Sequence, residues 1–216
     1  MLELYTYFRS SAAFRVRIAL NYKGLAFEPE VIWLLDGEQS GDAYRAVNPQ
    51  ALVPTLIDGT HTLNQSMAII EYLDETKGGP KLLPADPLGR ARVRSLAQLI
   101  ACEIHPVNNL RVLKYLKRTL KQPQEAIDDW YRHWCQEGLA AFERQLGDGQ
   151  AGEYCHRDAV SMADACLVPQ VFNAQRFKVD TAQYPLAIGI FERLMKLEAF
   201  DRAQPSRQPD AARAAN

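Results

Sequence analysis

Residues 7–17 read Tyr7-Phe8-Arg9-Ser10-Ser11-Ala12-Ala13-Phe14-Arg15-Val16-Arg17 and join a predicted β-strand to a predicted helix. The strand is expected over residues 2–7, where apolar and polar side chains partly alternate. The helix is expected over residues 12–23, because its apolar side chains recur four positions apart. These side chains are Phe14 and Ile18, and Val16 and Leu20. We predict that Ser11 caps the start of the helix and that Gly24 ends it.

Further elements extend this start into an α/β domain. They are a strand near residues 27–31, a helix over about 42–47, a strand between Pro54 and Asp58, a strand near 61–63 and a helix over 66–76. Their order implies a parallel crossover, followed by an antiparallel hairpin at Asp58-Gly59. We therefore predict a thioredoxin-like domain over residues 1–80.

The second half of the chain has a different character, since strand patterns nearly vanish from about Pro87 onward. We predict a linker over residues 81–86 and an all-helical domain over residues 87–216. The expected helices are a long one over about 88–120 kinked at Pro106, one over 124–146, one after the capping-box spacing of Ser161 and Asp164, and one near 184–197. The last ten or so residues are expected to be loosely packed.

Composition narrows the choice of partners. The 216 residues include 25 basic and 26 acidic ones, so a net charge of −1 favours neither nucleic acid nor an anionic membrane. No apolar run reaches the roughly 18 residues of a membrane span. The N-terminus lacks the pattern of a signal peptide, so a cytoplasmic protein is expected. The four cysteines are scattered without zinc-ligand spacing, which predicts free thiols and no metal site.

The turn before the first helix is the first candidate for chemistry. Backbone N–H groups at a helix start are unpaired and the helix dipole is positive there, so an anion is favoured. With the hydroxyl groups of Ser10 and Ser11, this turn could lower the pKa of a bound thiol from about 8.5 and hold it as a thiolate. The alternative is that both serines only cap the helix.

Two further stretches of the first half could bind the rest of such a ligand. A cis bond at Val53-Pro54 would present the Val53 backbone to a peptide as an added strand, although trans is expected from sequence alone. The helix start at Gln65-Ser66 could hold a carboxylate, the alternative being that Ser66 is a simple cap. The three stretches can meet at one edge of the sheet, and together they predict a pocket for a small, acidic, thiol-bearing peptide.

Longer strings around these motifs carry a resemblance through both halves of the chain. In the first half they are Tyr-Phe-Arg-Ser-Ser at 7–11, Arg-Val-Arg-Ile-Ala-Leu at 15–20, Asn-Pro-Gln at 48–50, Val-Pro-Thr-Leu at 53–56, Gln-Ser at 65–66 and Ala-Ile-Ile-Glu-Tyr-Leu at 68–73. In the second half they are Leu-Leu-Pro-Ala-Asp-Pro at 82–87, His-Pro-Val-Asn-Asn at 105–109, Met-Ala-Asp at 162–164, Leu-Val-Pro-Gln at 167–170 and Arg-Phe-Lys-Val-Asp at 176–180. By these strings the chain resembles the zeta-class glutathione S-transferase family, which implies the glutathione S-transferase fold.

The resemblance implies glutathione as cofactor. By this resemblance Ser10 and Ser11 stabilise the thiolate. The residues that contact the tripeptide backbone are Gln50, Val53 and Pro54. Gln65 and Ser66 bind the γ-glutamyl carboxylate. Ala12 departs from the family pattern, which usually has a cysteine or a hydroxyl residue at this position. We expect the helix N-terminus and the two serines to suffice, because the thiol chemistry belongs to glutathione.

The activity implied by the resemblance is cis–trans isomerisation of maleylacetoacetate to fumarylacetoacetate, in aromatic amino acid catabolism. A thiolate adds to the conjugated cis double bond, the resulting single bond rotates, and elimination leaves the trans isomer. The developing enolate charge and the substrate carboxylates both favour nearby guanidinium groups. Arg9, beside the turn, and Arg176 resemble the family's substrate-binding arginines, and Arg111 is a further candidate.

His105 and Asn109 are four residues apart and share one helix face. We predict that they line the inner wall of the cofactor site. The alternative is a polar network that packs around the kink at Pro106.

Other activities stay open at this point. Maleylpyruvate isomerisation uses the same cofactor and chemistry on a shorter acid, and a transferase or dehalogenase acting on α-haloacids could use the same thiolate. A non-enzymatic glutathione-binding protein of this fold is less well supported, because the residues of the thiolate turn are present. The resemblance also implies a homodimer.

Overall fold

A four-stranded mixed sheet is the centre of the N-terminal part of the computed structural model, which describes residues 1–214. The strands are β1 (Leu2–Thr6), β2 (Phe27–Val31), β3 (Thr55–Asp58) and β4 (His61–Asn64). They lie in the order β2-β1-β3-β4, with β1 parallel to β2 and the other two pairs antiparallel. This is the predicted parallel crossover followed by a hairpin, so the thioredoxin-like prediction is confirmed.

The α-helices within Met1–Leu83 are α1 (Ser11–Tyr22), α2 (Asp42–Val47) and α3 (Ser66–Thr76), with a short 3₁₀ helix at Glu38–Ser40 before α2. The four apolar side chains that predicted α1 are all 2% exposed or less, and α1 packs against α3. Gly24 ends α1 as expected: it has a φ of +67°, where a residue without Cβ is favoured. The N–H of Leu25 donates to the carbonyl of Leu20 at 2.9 Å, which completes a Schellman motif.

The strand register gathers three chain segments at one end of the sheet. Tyr5 near the end of β1 pairs with Thr55 at the start of β3, and Thr55 pairs with Asn64 at the end of β4. The segments that leave β1, enter β3 and leave β4 therefore lie side by side. These segments are the turn at 7–11, the stretch ending at Pro54, and Gln65-Ser66, as the sequence predicted.

Helices make up the second compact unit, Pro84–Leu194. They are α4 (Pro87–Gln98), a π-helical segment (Leu99–Ile104), α5 (His105–Val107), α6 (Leu110–Arg118), α7 (Gln124–Leu146), α8 (Met162–Arg176) and α9 (Pro185–Leu194). Inward-facing side chains such as Val93, Leu139 and Leu167 are at most 1% exposed and form its core. No helix within residues 1–214 has both the length and the apolar character needed to cross a membrane.

The predicted long helix over 88–120 is divided rather than kinked. Pro106 has no N–H to donate to the carbonyl four residues earlier, and the turn before it widens into the π-helical segment. The helix then ends at Asn108, whose side chain donates to the carbonyl of Tyr131 at 3.2 Å. Asn109 begins a new helix as the N-cap of α6.

The C-terminal segment corrects two further predictions. The helix expected near 184–197 is present as α9, and a further helix, α10 (Glu198–Ala203), follows it, with 3₁₀ helices at Pro205–Arg207 and Pro209–Ala214. Residues from Met195 onward cluster with Met1–Leu83, not with the helical unit as the 87–216 boundary implied. The expected loose tail is wrong as far as Ala214, because Asp210 is buried against the turn after β1; the last two residues lie outside the described part.

Candidate functional site

The turn after β1 is shaped by Ser10. Ser10, not Ser11, is the N-cap of α1: its Oγ accepts the Ala13 N–H at 3.2 Å, while Ser11 is the first helical residue. The Ser10 N–H donates to the Tyr7 carbonyl at 2.9 Å and closes the turn. A hydroxyl group that accepts one hydrogen bond still has its own hydrogen to donate, so the cap leaves Ser10 able to stabilise an anion.

The backbone of α1 adds a second donor at the same place. Within residues 1–214 the N–H of Ala12 forms no hydrogen bond, because it lies in the first turn of the helix. Ser11 is buried, at 8% exposure, in the same turn. An anion at this position meets the positive end of the helix dipole together with hydroxyl and backbone donors. Ala12 contributes its N–H whatever its side chain.

Arg17 forms hydrogen bonds with the turn and with its flanking segments. Its buried guanidinium donates to the carbonyl of Phe8 at 3.1 Å, to the Oγ1 of Thr6 at 2.9 Å and to the carbonyl of Ala203 at 3.0 Å. Burial lowers the pKa of Arg17 to about 9, and the charge of Asp210 partly opposes this shift. The side chain therefore stays protonated at neutral pH. Arg17 belongs to the string at 15–20 that carries the family resemblance, but the sequence predicted no role for it.

The loop before β3 presents Val53. The Val53-Pro54 peptide bond is cis, so the expectation of trans from sequence alone is wrong. Tyr44 and Asn48, which sequence reasoning had not singled out as site residues, both donate to the Leu52 carbonyl at 2.7 Å. These two hydrogen bonds hold the loop before β3 in place. Burial raises the pKa of Tyr44.

Val53 itself has an open backbone edge. Within residues 1–214 neither its N–H nor its carbonyl oxygen forms a hydrogen bond. Buried backbone groups normally have partners, and the Val53 residue is only 8% exposed. A ligand with a peptide backbone is the kind of partner that satisfies both groups, by lying alongside as a strand does.

Gln65 and Ser66 form the third part of the site. Gln65 has φ +70° and ψ +117°, a conformation that costs a residue with a side chain about 1–3 kcal/mol. Its amide donates to the Gln50 side chain at 2.9 Å. Ser66 is the first residue of α3 and not its N-cap as predicted; its Oγ accepts a hydrogen bond from Arg15 at 3.3 Å.

Side-chain packing holds these three stretches together. Tyr7 and Phe8 of the turn form one buried cluster with Trp33, Tyr44 and Val53. The Gln50–Gln65 hydrogen bond joins the second stretch to the third, and the Arg15–Ser66 bond joins α1 to α3. The structure therefore brings together Ser10, Ser11, Gln50, Val53, Pro54, Gln65 and Ser66 at one end of the sheet.

Arg9 lies on the outside of the turn. Its side chain is exposed, and its guanidinium carbon is 4.8 Å from the centre of the Phe8 ring. The ring holds the guanidinium beside the Ser10 turn by a cation–π contact while the donors of the guanidinium remain open to solvent.

The remaining predicted residues belong to the helical unit. His105 and Asn109 lie 3.4 Å apart through Nε2 and Nδ2, and the Asn109 Oδ1 accepts the Arg111 N–H at 3.1 Å. These contacts match the alternative interpretation, in which His105 and Asn109 belong to a polar network at the helix break after Pro106. The Arg111 side chain is exposed.

Arg176 is the last residue of α8 and is exposed. Its guanidinium lies 5.3 Å from the ring of Phe177, and that ring stacks on Tyr131 of α7 with centroids 3.5 Å apart. Asn108, which precedes Asn109 in the chain, donates its side-chain N–H to the backbone carbonyl of the same Tyr131. Tyr131 therefore links the helix break to the end of α8 within this unit.

An anion-favouring turn, an open backbone edge and a strained helix start lie together on a thioredoxin-like sheet, and comparison with known proteins identifies the class as that of the glutathione S-transferases. The family model described as "Glutathione S-transferase, N-terminal domain" matches residues 9–76. A probable maleylacetoacetate isomerase of Vibrio cholerae is 50% identical over 97% of this chain and 98% of its own length.

Two solved structures superpose closely, each over 97% of this chain and 99% of their own. One is a holo maleylpyruvate isomerase described as a bacterial zeta-class glutathione S-transferase, with a TM-score of 0.95 and 45% identity. The other is the maleylacetoacetate isomerase of Methylobacterium extorquens with bound malonate and glutathione, with a TM-score of 0.95 and 44% identity. This chain belongs to the zeta class of glutathione S-transferases.

Proposed function

We propose that this protein is a glutathione-dependent isomerase that converts maleylacetoacetate to fumarylacetoacetate in aromatic amino acid catabolism. The observation that carries the proposal is the open donor set at one end of the sheet: the Ser10 hydroxyl and the Ala12 N–H beside the unpaired backbone of Val53. Maleylacetoacetate isomerases and a maleylpyruvate isomerase are among the full-length relatives, and one is solved with glutathione and a dicarboxylate.

The residues present fit glutathione. A tripeptide backbone matches the open N–H and carbonyl of Val53, next to Pro54. Gln50, Gln65 and the start of α3 at Ser66 offer amide, hydroxyl and backbone donors to the γ-glutamyl carboxylate. The sulfur then belongs at the start of α1, where Ser10 and Ser11 lie.

When bound, glutathione supplies the thiolate whose addition to the cis double bond allows rotation before elimination restores the alkene. Ser10 donates its hydroxyl hydrogen to that sulfur while its oxygen keeps the helix capped. The Ala12 N–H and the α1 dipole lower the energy of the anion further. Arg9, exposed beside the turn, offers two parallel donors to a substrate carboxylate and stabilises negative charge that develops on the substrate.

We propose substrate-facing roles for the polar residues of the helical unit as well. Arg176 and Arg111 have exposed guanidinium groups, which suit a carboxylate, and the cofactor roles of His105 and Asn109 are supported by the family resemblance alone. The contact that supports Arg176 is the Phe177–Tyr131 stack, which fixes the end of α8.

The second candidate substrate is maleylpyruvate, because a zeta-class maleylpyruvate isomerase has the same fold at 45% identity. Turnover of the two acids should be compared with added glutathione by following the loss of the cis-enone absorbance. We expect a larger kcat/KM for maleylacetoacetate. A larger value for maleylpyruvate would replace the substrate assignment, and equal rates without glutathione would overturn the mechanism.

The serines are tested by Ser10→Ala and Ser11→Ala. Removing a donor aimed at the sulfur is expected to lower kcat by at least about tenfold. Ser40→Ala is the matched control, because Ser40 is an exposed serine of the same unit that is remote from the turn in sequence. Should neither serine variant lose more activity than Ser40→Ala, the assignment of the thiolate donors is wrong.

We also propose that the protein is a cytoplasmic homodimer. The family resemblance supports the homodimer. The four cysteines support the cytoplasmic location, because none of them forms a disulfide within residues 1–214. Sedimentation equilibrium of the purified chain tests the assembly, and a mass of one chain at micromolar concentration would contradict it.

A further inference from the structure

The C-terminal 3₁₀ helix, Pro209–Ala214, contacts the turn after β1 directly. The carboxylate of Asp210 accepts the N–H of Phe8 at 2.8 Å, across 202 positions of sequence. Asp210 is 7% exposed, and its Oδ1 forms no hydrogen bond with any described residue. A buried carboxylate is costly unless it is paired, and this one is stabilised by the charge of Arg17 and by the N–H of Phe8.

The Phe8 peptide groups are held from both sides. Asp210 takes the N–H of Phe8, and Arg17 donates to its carbonyl at 3.1 Å. Arg17 is anchored in turn by the Ala203 carbonyl at the end of α10. Phe8 precedes Ser10 by two residues, and the Ser10 N–H closes on the neighbouring Tyr7 carbonyl. Phe8 is therefore part of the same hydrogen-bonded turn as Ser10.

The helix that carries Asp210 has its own anchors on the N-terminal unit. Arg213 lies 4.4 Å above the Trp33 ring and forms an ion pair with Asp36 at 3.0 Å. Ala211 packs on the same aromatic cluster that contains Phe8. The segment is thus fixed beside the turn rather than resting on it through one hydrogen bond.

We propose that Asp210 is a positioning residue for the thiolate turn: by holding the Phe8 N–H it sets the direction of the Ser10 hydroxyl toward the bound sulfur. Asp210 takes no part in the chemistry itself. The proposal rests on the proposed function of the turn, and it assigns a role to the C-terminal segment that the sequence led us to regard as loosely packed.

The test compares Asp210→Asn with Asp210→Ala. Both variants remove the same negative charge, but an asparagine oxygen can still accept the Phe8 N–H, and its NH₂ can occupy the side where Oδ1 now has no partner. The difference between the two variants therefore reports the loss of the side-chain contact to Phe8 without a difference in charge. The measured quantities are the thiol pKa of bound glutathione, from thiolate ultraviolet absorbance, and kcat and KM.

We expect the bound thiol pKa to be about 0.5 unit or more higher in Asp210→Ala than in Asp210→Asn, with kcat about threefold lower below that pKa. The KM for glutathione should differ less between the two, because the groups that bind the tripeptide are unchanged. Equal thiol pKa and kcat values in the two folded variants would overturn the proposal. A wild-type enzyme that binds glutathione at its ordinary thiol pKa would instead overturn the proposed function.

A second comparison decides the matter if Asp210→Ala does not fold. Arg213→Gln and Arg207→Gln each remove one exposed arginine from the C-terminal segment, but only Arg213 lies on Trp33. We expect Arg213→Gln to raise the bound thiol pKa and lower kcat relative to Arg207→Gln. Identical values in this pair would contradict a positioning role for the segment.

Discussion

At the residue scale, the backbone of Gln65 has a strained conformation at the start of α3. Its φ of +70° and ψ of +117° suit glycine, yet a glutamine is present whose side chain reaches Gln50. The Gln65→Gly change removes the strain but increases the freedom of the unfolded chain. We expect the free energy of unfolding to rise by about 1 kcal/mol, measured by urea denaturation, while glutathione affinity falls.

Gln65→Ala is the control for this prediction. It removes the same contact to Gln50 and keeps a Cβ in the strained conformation. Alanine should therefore lose glutathione affinity without the gain in unfolding free energy. A glycine variant less stable than the alanine variant would show that the conformation is not strained.

At the element scale, the start of α8 is held by a buried carboxylate that the sequence predicted. The predicted capping box of Ser161 and Asp164 is confirmed, and Asp164 also accepts the Cys155 N–H at 2.9 Å. Asp164 is fully buried, so Asp164→Ala leaves several buried donors without a partner. We expect the free energy of unfolding to fall by about 3 kcal/mol in urea denaturation.

Asp86, the N-cap of α4, is the matched comparison. It accepts the Gly89 N–H at 2.6 Å but is exposed to solvent, so water replaces the lost partner in Asp86→Ala. We expect this change to cost about 1 kcal/mol. Equal losses for the two caps would mean that burial adds nothing to the capping box of α8.

At the scale of the whole molecule, we propose that Met1–Leu83 and the segment from Met195 onward form one cooperative unit. α10 packs on α1, and its Ala199 and Ala203 carbonyls accept hydrogen bonds from Asn21 and Arg17. Native-state hydrogen exchange should give α10 the opening free energy of α1 to within about 1 kcal/mol. Exchange of α10 in step with its sequence neighbour α9 would contradict this division.

Short-range patterns in the sequence predicted most of the elements but not their connections. The bounds of β2, α2 and α7 match the structure because alternation, helical periodicity and local end signals act over a few residues. The caps at Ser10 and Gln65 were each assigned one position too late, since adjacent serine or polar residues offer equally good local signals.

By itself the sequence determined the thioredoxin-like order of strands, the helical second half and the three stretches that lie at one end of the sheet, because each depends on neighbours along the chain. Only the tertiary structure decided that Val53-Pro54 is cis, that α10 returns to α1 and that Asp210 holds Phe8. The physical reason is range. A hydrogen bond between residues 8 and 210 leaves no periodicity or turn chemistry in the chain, and it exists only once folding brings the two ends together.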